Sequence, residues 1–348
     1  MRRYLLTRLA LTAPLLLLLL TATFLLLRVA PGDPVTAKLG ERAASDARAE
    51  ELRRSLGLND PLWQQYASYI GGALRGDFGR AISTGIPVSN TIRDKFPATL
   101  ELTVAAMLVA VAVGIGVGAT SARFRDTRLD VAGRLLGIVL YAAPIFWLGI
   151  LFQYLFSVKF GWFPTGGRTA AFAEPAPLFS LETGGSATWN FTGLYTVDAL
   201  LTGNFSALWQ ALRHLALPAV TLGLVIGGIL VRLVRVNMLS ALRSDHVDAA
   251  RARGLPERAV VLRHALRSAL VPVVAVVGLQ FALLLSGAVL TEATFSWPGL
   301  GQALYDFLQD RDYTAVQGLV TFYALFVVAV SLLIDVVSAW VDPRIRYS

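Results

Sequence analysis

Six long apolar segments constrain the fold of this chain more than any other feature. They cover about residues 9–27, 98–121, 135–158, 215–236, 268–290 and 316–341. About 20 apolar residues in a helix cross the hydrocarbon core of a bilayer, where a backbone must satisfy its own hydrogen bonds. The sequence therefore predicts an all-α membrane protein with six transmembrane helices.

The composition also indicates a membrane protein. Of the 348 residues, 55% are hydrophobic and only 16% are charged, whereas about a quarter of the residues in a soluble domain are charged. The net charge of +8 comes from basic residues near the ends of the apolar segments, where topology and anionic lipid explain them. We therefore expect membrane lipid, and no nucleic acid, among the partners.

Motifs for catalysis and for ATP binding are missing from the sequence. The chain has no cysteine, which excludes disulfides, thiolate metal sites and a cysteine nucleophile. None of its lysines (Lys38, Lys95 and Lys159) follows a glycine, so no Walker A sequence exists. Nucleophile-elbow, HExxH and paired-carboxylate motifs are absent as well. We expect this chain to be no enzyme and to hold no cofactor and no metal.

The amino-terminal segment has two interpretations. Arg2, Arg3 and Arg8 precede the first apolar run, as they would in a signal peptide or at the cytoplasmic end of a span. A signal peptide has a shorter apolar core, followed by a cleavage site between small residues. Because this run is long and ends at Arg28, we favour an uncleaved span.

The distribution of arginine predicts the orientation and the domains. Arginines collect at both termini and in the loops after the second and fourth apolar segments, and such loops face the cytoplasm. We expect an N-terminal segment with the first span at 1–29, an extracytoplasmic helical loop at 30–97, a core of five spans at 98–341 and a cytoplasmic tail at 342–348. The core includes an extracytoplasmic loop at 159–213 and a cytoplasmic loop at 239–267.

Shorter patterns predict helices in the first long loop. Residues 43–56 form an amphipathic pattern that Gly57 closes, and a second helix follows Pro61. Val88, Ile92 and Phe96 lie four residues apart, which predicts one face of a short helix at 87–96.

Glycines and prolines inside the apolar segments predict how the helices pack. Such glycines are typical of close helix contacts; they are Gly114, Gly116 and Gly118 in the second segment and Gly223, Gly227 and Gly228 in the fourth. Pro144 and Pro218 are expected to kink or start helices.

Four charged residues lie in or near the apolar segments. They are Glu101, Arg232, Glu292 and Asp335, all close to a predicted span end. Ionisable residues in a membrane are functional candidates by default. At these positions, snorkelling or local pairing explains them better.

The loop at 239–267 is rich in arginine but composed of helix formers. Its pattern predicts two short helices joined by Gly254, which suits the left-handed residue that ends a helix. Asp245 or Asp248 can cap the first helix, and Pro256 lies where the second one starts. The loop is either a solvated connection that only sets topology or a surface for a partner outside the membrane.

The residue order in this loop resembles a known family. Asp248, Ala249 and Ala250 followed by Gly254 resemble the EAA loop of ABC importer permeases, with Asp in place of the usual Glu. The stretch from His264 to Pro272 looks like the version found in peptide and nickel permeases. Further stretches resemble the same family in order and spacing, at 30–34, 56–66, 76–79, 291–301, 311–318 and 342–347.

The resemblance implies a type I ABC importer permease-like bundle, of the B-type subunit of dipeptide, oligopeptide and nickel systems. In that family the loop is a coupling helix that docks into a groove on an ATPase subunit. The resemblance assigns a role in ATPase coupling to eight residues of this loop: Asp248, Ala249, Ala250, Arg251, Gly254, Leu255, His264 and Arg267. The small Ala249, Ala250 and Gly254 would let the helix lie close inside such a groove.

The resemblance also implies an activity and partners. The chain would be a transmembrane permease subunit in a bacterial cell membrane, moving di- or oligopeptides that an external substrate-binding protein delivers. A homologous second permease and two cytoplasmic ATPase subunits, which hold ATP and Mg²⁺, would complete the importer. Asp248 and a longer insert at about 168–190 depart from the family pattern, and the role of the insert stays open.

Other functions stay open at this point. A secondary transporter or a channel would work without ATPase subunits, whereas the missing catalytic motifs argue against an intramembrane enzyme. Within the ABC class, nickel, glutathione or haem can replace the peptide, because selectivity in the family lies largely in the binding protein.

Overall fold

The computed structural model describes residues 2–29, 50–51, 53–54, 57, 59–169 and 192–341, and these are mostly helical. The helices are α1 (Arg2–Val29), α2 (Leu62–Leu74), α3 (Val88–Arg123), α4 (Arg128–Ala142), α5 (Ile145–Phe152), α6 (Tyr195–Leu201), α7 (Phe205–Ala241), α8 (Asp245–Ala252), α9 (Glu257–Ala259), α10 (Leu266–Gly287), α11 (Val289–Thr294), α12 (Leu300–Gln309) and α13 (Tyr313–Val341). A π-helical stretch, Gln153–Lys159, extends α5, and another, Val260–Ala265, joins α9 to α10. The all-α prediction is confirmed.

Several predictions concern residues that are not described. The amphipathic helix at 43–56 and the insert at 168–190 lie outside the described residues apart from a few positions, and the tail at 342–348 lies wholly outside them. Among the described residues of the first loop, the second predicted helix begins directly after Pro61, as predicted.

Four helices are long and apolar enough to cross a membrane: α3, α7, the continuous helix Glu257–Leu285, and Tyr313–Ile334 within α13. A fifth span results if α4 and the bent continuation Ile145–Lys159 are counted as one. The apolar part of α1 with described side chains is Thr12–Leu25, which is shorter than the roughly 20 residues a span needs. The membrane-spanning architecture is confirmed, and the sixth span stays a prediction.

The third predicted span is broken at Pro144, as expected. α4 ends at Ala142, Ala143 is extended with a ψ of 128°, and α5 begins after Pro144 with a bend of 102°. A residue before proline prefers this extended conformation. Pro218 lies inside α7 and does not start that helix. The helix begins earlier because Asn204 caps it, its side-chain oxygen accepting a hydrogen bond of 3.0 Å from the Ala207 amide.

The prediction of a separate helix at 87–96 is wrong. α3 begins at Val88 and continues as one helix of 36 residues, with Pro97 inside it. The predicted face exists, since Val88 and Ile92 are buried and Phe96 packs against their cluster. Proline removes one helical hydrogen bond. Burial continues directly beyond it at Ala98 and Leu102, which keeps the helix continuous.

The described chain forms two compact units, and the first is Met1–Thr99 with Pro298–Leu332. Its core joins the start of α3 to α12 and α13, through Val88, Ile92, Leu300, Ala303, Phe307, Val316, Leu319 and Tyr323. The buried Asp312 fixes the start of α13. Its carboxylate accepts hydrogen bonds from the Ala315 amide at 3.0 Å and from the Ser83 amide and hydroxyl at 2.8 and 2.9 Å.

The second unit is Leu100–Trp297 with Leu333–Ser348, and glycines hold α3 and α7 close within it. A methyl group on Gly118 would lie 2.8 Å from the Val231 carbonyl oxygen, and one on Gly223 would lie 2.5 Å from the Ala106 oxygen. Gly114 is similarly crowded, with a methyl group 2.4 Å from Leu230 Cβ, whereas one on Gly227 would lie 3.3 Å from the Val113 side chain. The prediction of close packing is therefore confirmed for these glycines but not for Gly116, which has nothing within 4 Å of an added methyl group.

Gly118→Ala is expected to destabilise the protein, whereas its neighbour Gly116→Ala is not. The methyl group at 118 meets the α7 backbone, but nothing lies within 4 Å of one at 116. Overpacking costs about 1–3 kcal/mol, while an unhindered Gly-to-Ala change in a helix gains up to about 1 kcal/mol. Thermal unfolding of the two purified variants checks this, and equal melting temperatures would contradict the close contact.

Glu101 and Arg168 form a buried ion pair in the second unit. The Arg168 Nη2 donates to Glu101 Oε2 at 2.6 Å, and the Thr196 amide and hydroxyl donate to Oε1 at 2.7 and 2.6 Å. Arg168 also donates to the Gly193 carbonyl and lies over the Tyr195 ring, with 3.6 Å to the ring centre. Glu101 is therefore paired, as predicted, but its partner is distant in the sequence and not local.

The other charged residues of the apolar segments differ in their environments. Arg232 is exposed and Glu292 is fully buried, while the side chain of Asp335 lies outside the described part of the structure. A second ion pair, between the buried Asp130 and the partly exposed Arg235, was not predicted.

Candidate functional site

The loop after α7 folds into two helical segments around Gly254, as predicted. Gly254 has a φ of +74°. Its amide donates to the Arg251 carbonyl at 2.9 Å, and the Leu255 amide donates to the Ala250 carbonyl at 3.4 Å. This pair of bonds is a Schellman motif, which ends a helix with a left-handed residue. The chain then passes through Pro256 and becomes helical again at Glu257.

The predicted cap of the first helix is wrong. Ser244 is the extended residue before α8, with a φ of −88° and a ψ of 148°. Asp245 and Asp248 are already helical, in the first turn, where carboxylates interact favourably with the helix dipole. Neither can act as the cap, because a capping residue must have a non-helical backbone. Ser244 itself makes no side-chain cap bond; its hydroxyl bonds to the Ala241 carbonyl and lies 2.9 Å from His246 Nδ1.

The inner face of the loop packs on its own chain. Val247 and Ala250 are buried, as are Val260, Val261 and Ala265 of the following π-helical stretch. The interpretation of Ala250 as a residue facing a partner's groove is therefore corrected, because its side chain is only 3% exposed. Its small size instead lets α8 lie close to the next helix.

The outer face carries the other candidate residues. Those exposed to solvent are Asp248, Ala249, Arg251, Gly254, Leu255 and Arg267, while His264 is half-buried. The structure thus brings the residues from 248 to 255 together on one turn and leaves His264 and Arg267 on the next helix.

Arg251 forms ion pairs on both sides of the turn, which the sequence alone did not predict. Its Nη2 lies 3.0 Å from Glu257 Oε1 across the turn, and its Nη1 lies 3.1 Å from Asp248 Oδ1. The hydrogen bond to Glu257 raises the pKa of Arg251. Glu257 was not a candidate; its opposite charge just beyond the Gly254 turn was the signal that could have identified it.

The outer face is strongly basic and includes two residues with almost no side chain. Within the described loop, Arg243, Arg253, Arg258, Arg263 and Arg267 make no ion pair. Ala249 and Gly254 present almost no side chain beside them, and a methyl group at Gly254 would meet nothing within 4 Å. Such an exposed surface can bind a partner protein, and its described residues show no groups arranged for catalysis.

Comparison with known proteins identifies the family. Residues 114–347 match the family described as the binding-protein-dependent transport system inner membrane component. Residues 1–103 match the N-terminal region of such a membrane component. Together the two matches cover nearly the whole chain.

Curated relatives match over their full length. The dipeptide transport system permease protein DppB of Escherichia coli (strain K12) is 40% identical, covering 100% of this chain and 99% of its own. The di/tripeptide transport system permease protein DppB of Pseudomonas aeruginosa is 39% identical, covering 98% and 97%. The glutathione transport system permease protein GsiC of Salmonella typhi is 35% identical, covering 100% of both. This chain therefore belongs to the inner membrane components of binding-protein-dependent transport systems, the permeases of ABC importers.

Proposed function

We propose that this chain is one permease subunit of an ABC importer that takes up di- and oligopeptides. The observation that carries the proposal is its full-length similarity to permeases named for dipeptides, at up to 40% identity over the whole chain. Relatives named for di/tripeptides and for glutathione, itself a tripeptide, favour a short peptide as substrate.

The loop around Gly254 acts as the coupling element. Asp248, Ala249, Arg251, Gly254 and Leu255 contact an ATPase subunit from the exposed turn, with His264 and Arg267 beside them. Ala250 contributes without touching the ATPase subunit. It and Val247 are buried, and they pack α8 onto the buried residues that precede α10. A displacement of the docked turn is thereby passed into a membrane-spanning helix.

The importer needs other chains to complete it. A homologous second permease forms the other half of the pathway, and two cytoplasmic ATPase subunits bind ATP and Mg²⁺. An extracytoplasmic substrate-binding protein delivers the peptide to the loops at 30–97 and 159–213. ATP binding and hydrolysis then switch the two permeases between outward-facing and inward-facing states, which differ in their affinity for the ATPase pair.

Copurification tests this function against a carrier or channel. The tagged chain, expressed with the other subunits of its importer, is expected to bring down the ATPase subunits and ATP hydrolysis. The purified single chain should hydrolyse none, since it lacks a Walker A sequence. Peptide transport by this chain with no ATPase subunit attached would instead support a secondary transporter.

The orientation is tested by cysteine labelling, for which the absence of cysteine gives a clean background. Thr84 and Arg253 are both exposed. With the proposed orientation, Thr84→Cys reacts with an impermeant maleimide on intact cells, and Arg253→Cys reacts only after the membrane is permeabilised. The reverse pattern would place the Gly254 loop outside and exclude coupling to cytoplasmic ATPases.

A further inference from the structure

A cavity between α4 and α7 combines arginines with an apolar wall. Its volume is about 620 Å³, and Arg134, Arg232 and Arg235 line it together with Ile138 and Tyr141. The function proposed above does not use it.

The positive charge in this cavity is only partly neutralised. Asp130 holds Arg235 through two hydrogen bonds, from Nε at 2.7 Å and from Nη2 at 2.8 Å. Arg134 lies farther from the same carboxylate, at 3.7 Å, and Arg232 makes no ion pair or hydrogen bond with any described residue. Two guanidinium groups therefore remain available to an anion beside an apolar surface.

The three arginines lie toward one end of the cavity, and its other end is lined by uncharged residues. Asp130, near the start of α4, contacts Arg235, near the end of α7, whereas Gly228 lies beside Tyr141 farther along. At about 1.5 Å per residue, Arg232 and Arg235 are roughly 9–14 Å from the last residue of α7. The basic end therefore faces a membrane surface, and the apolar end faces the membrane interior.

We propose that this cavity binds an anionic phospholipid, with its phosphate on Arg134 and Arg232 and an acyl chain along Ile138 and Tyr141. Phosphate oxygens match the fork of a guanidinium group, and basic pockets between membrane helices bind anionic headgroups. A phospholipid also has the same polarity as the cavity, with charge at the surface and an apolar tail toward the midplane. The proposal rests on α4 and α7 lying in the membrane and not on the identity of the transported substrate.

Two cysteine variants on α4 test the site. Ile138 lines the cavity and Val139 does not, but the two are equally exposed, at 63% and 62%. Ile138→Cys and Val139→Cys are introduced separately into the assembled importer, purified in a neutral detergent. Alkylation by a maleimide is timed while phosphatidylglycerol or phosphatidylcholine is added. Phosphatidylglycerol is expected to slow alkylation at 138 only, and phosphatidylcholine at neither position.

Removing the basic charges should abolish this protection. Arg134→Gln with Arg232→Gln is combined with Ile138→Cys, and Arg235 stays unchanged because it holds Asp130. The phosphatidylglycerol needed for half-protection is expected to rise roughly tenfold or more, as for two lost basic contacts to an anionic lipid. If this variant does not fold, the comparison of the two lipids at positions 138 and 139 still shows whether the cavity prefers an anionic phospholipid.

Four results would overturn the proposal. These are equal protection by both lipids, protection at 139 as strong as at 138, protection by a dipeptide in place of phosphatidylglycerol, and a cysteine at 138 that does not react even after retained phospholipid has been removed by detergent washing. The third would assign the cavity to the transported substrate, and the fourth would show that another protein chain covers it.

Discussion

Gly254→Val is expected to lower peptide uptake about tenfold while leaving the amount of protein in the membrane unchanged. Gly254 has a φ of +74°, and a left-handed backbone costs an ordinary residue about 1–2 kcal/mol, with β-branched residues among the least tolerant. The fraction of chains whose turn can dock falls accordingly, and the apparent affinity for the ATPase subunit falls with it. The measurement is uptake, together with recovery of ATPase subunits, in complexes matched for permease content.

Gly254→Asn is the matched control, because asparagine adopts a positive φ much more readily. Its side chain adds comparable bulk, and the position is open, with nothing within 4 Å of an added methyl group. We expect this variant to retain most of the uptake. Equal loss in both variants would show that bulk at the interface, and not the shape of the turn, is decisive. Full uptake in Gly254→Val would leave the turn without a role in coupling.

Arg168→Ala is expected to have the largest effect on stability. The change leaves Glu101 buried without its counter-ion, and breaking a buried ion pair costs about 3–5 kcal/mol. It also removes the bond to the Gly193 carbonyl and the stacking on Tyr195. We expect a clearly lower melting temperature and less protein in the membrane, both measured on the purified full chain and on membrane extracts.

The double variant Glu101→Leu with Arg168→Met separates lost charge pairing from lost packing. Replacing both partners of a buried pair by apolar residues is often close to neutral. The double variant is therefore expected to be more stable than Arg168→Ala. If it is no more stable, the packing of Arg168 on Tyr195 and Trp297 and the hydrogen bonds from Thr196 to Glu101 contribute more than the ion pair, and the electrostatic explanation is wrong.

Features that depend on local chemistry could be predicted from the sequence. Gly254 and Pro144 act through their own backbone preferences, so the turn and the break in the third span followed from single residues. The glycines of α3 and α7 were also informative, because a missing side chain in an apolar helix indicates close approach of another helix.

Features that depend on distant partners could not be predicted. Arg168 follows Glu101 by 67 positions and lies at the edge of an irregular segment, so no sequence period relates them. The inward direction of Ala250 depends on the packing of α8 against the stretch Val260–Ala265, which composition does not reveal. The position of Ser244 at the start of α8, and the continuity of α3 through Pro97, were decided by the surrounding structure over local propensity.

Uptake by a reconstituted importer tests the central claim most directly. Proteoliposomes would contain this chain, the second permease and the ATPase subunits, with labelled dipeptide and binding protein outside and ATP inside. The account predicts that dipeptide accumulates inside only when this chain, the ATP and the binding protein are all present. Accumulation that continues without ATP or without the ATPase subunits would contradict it.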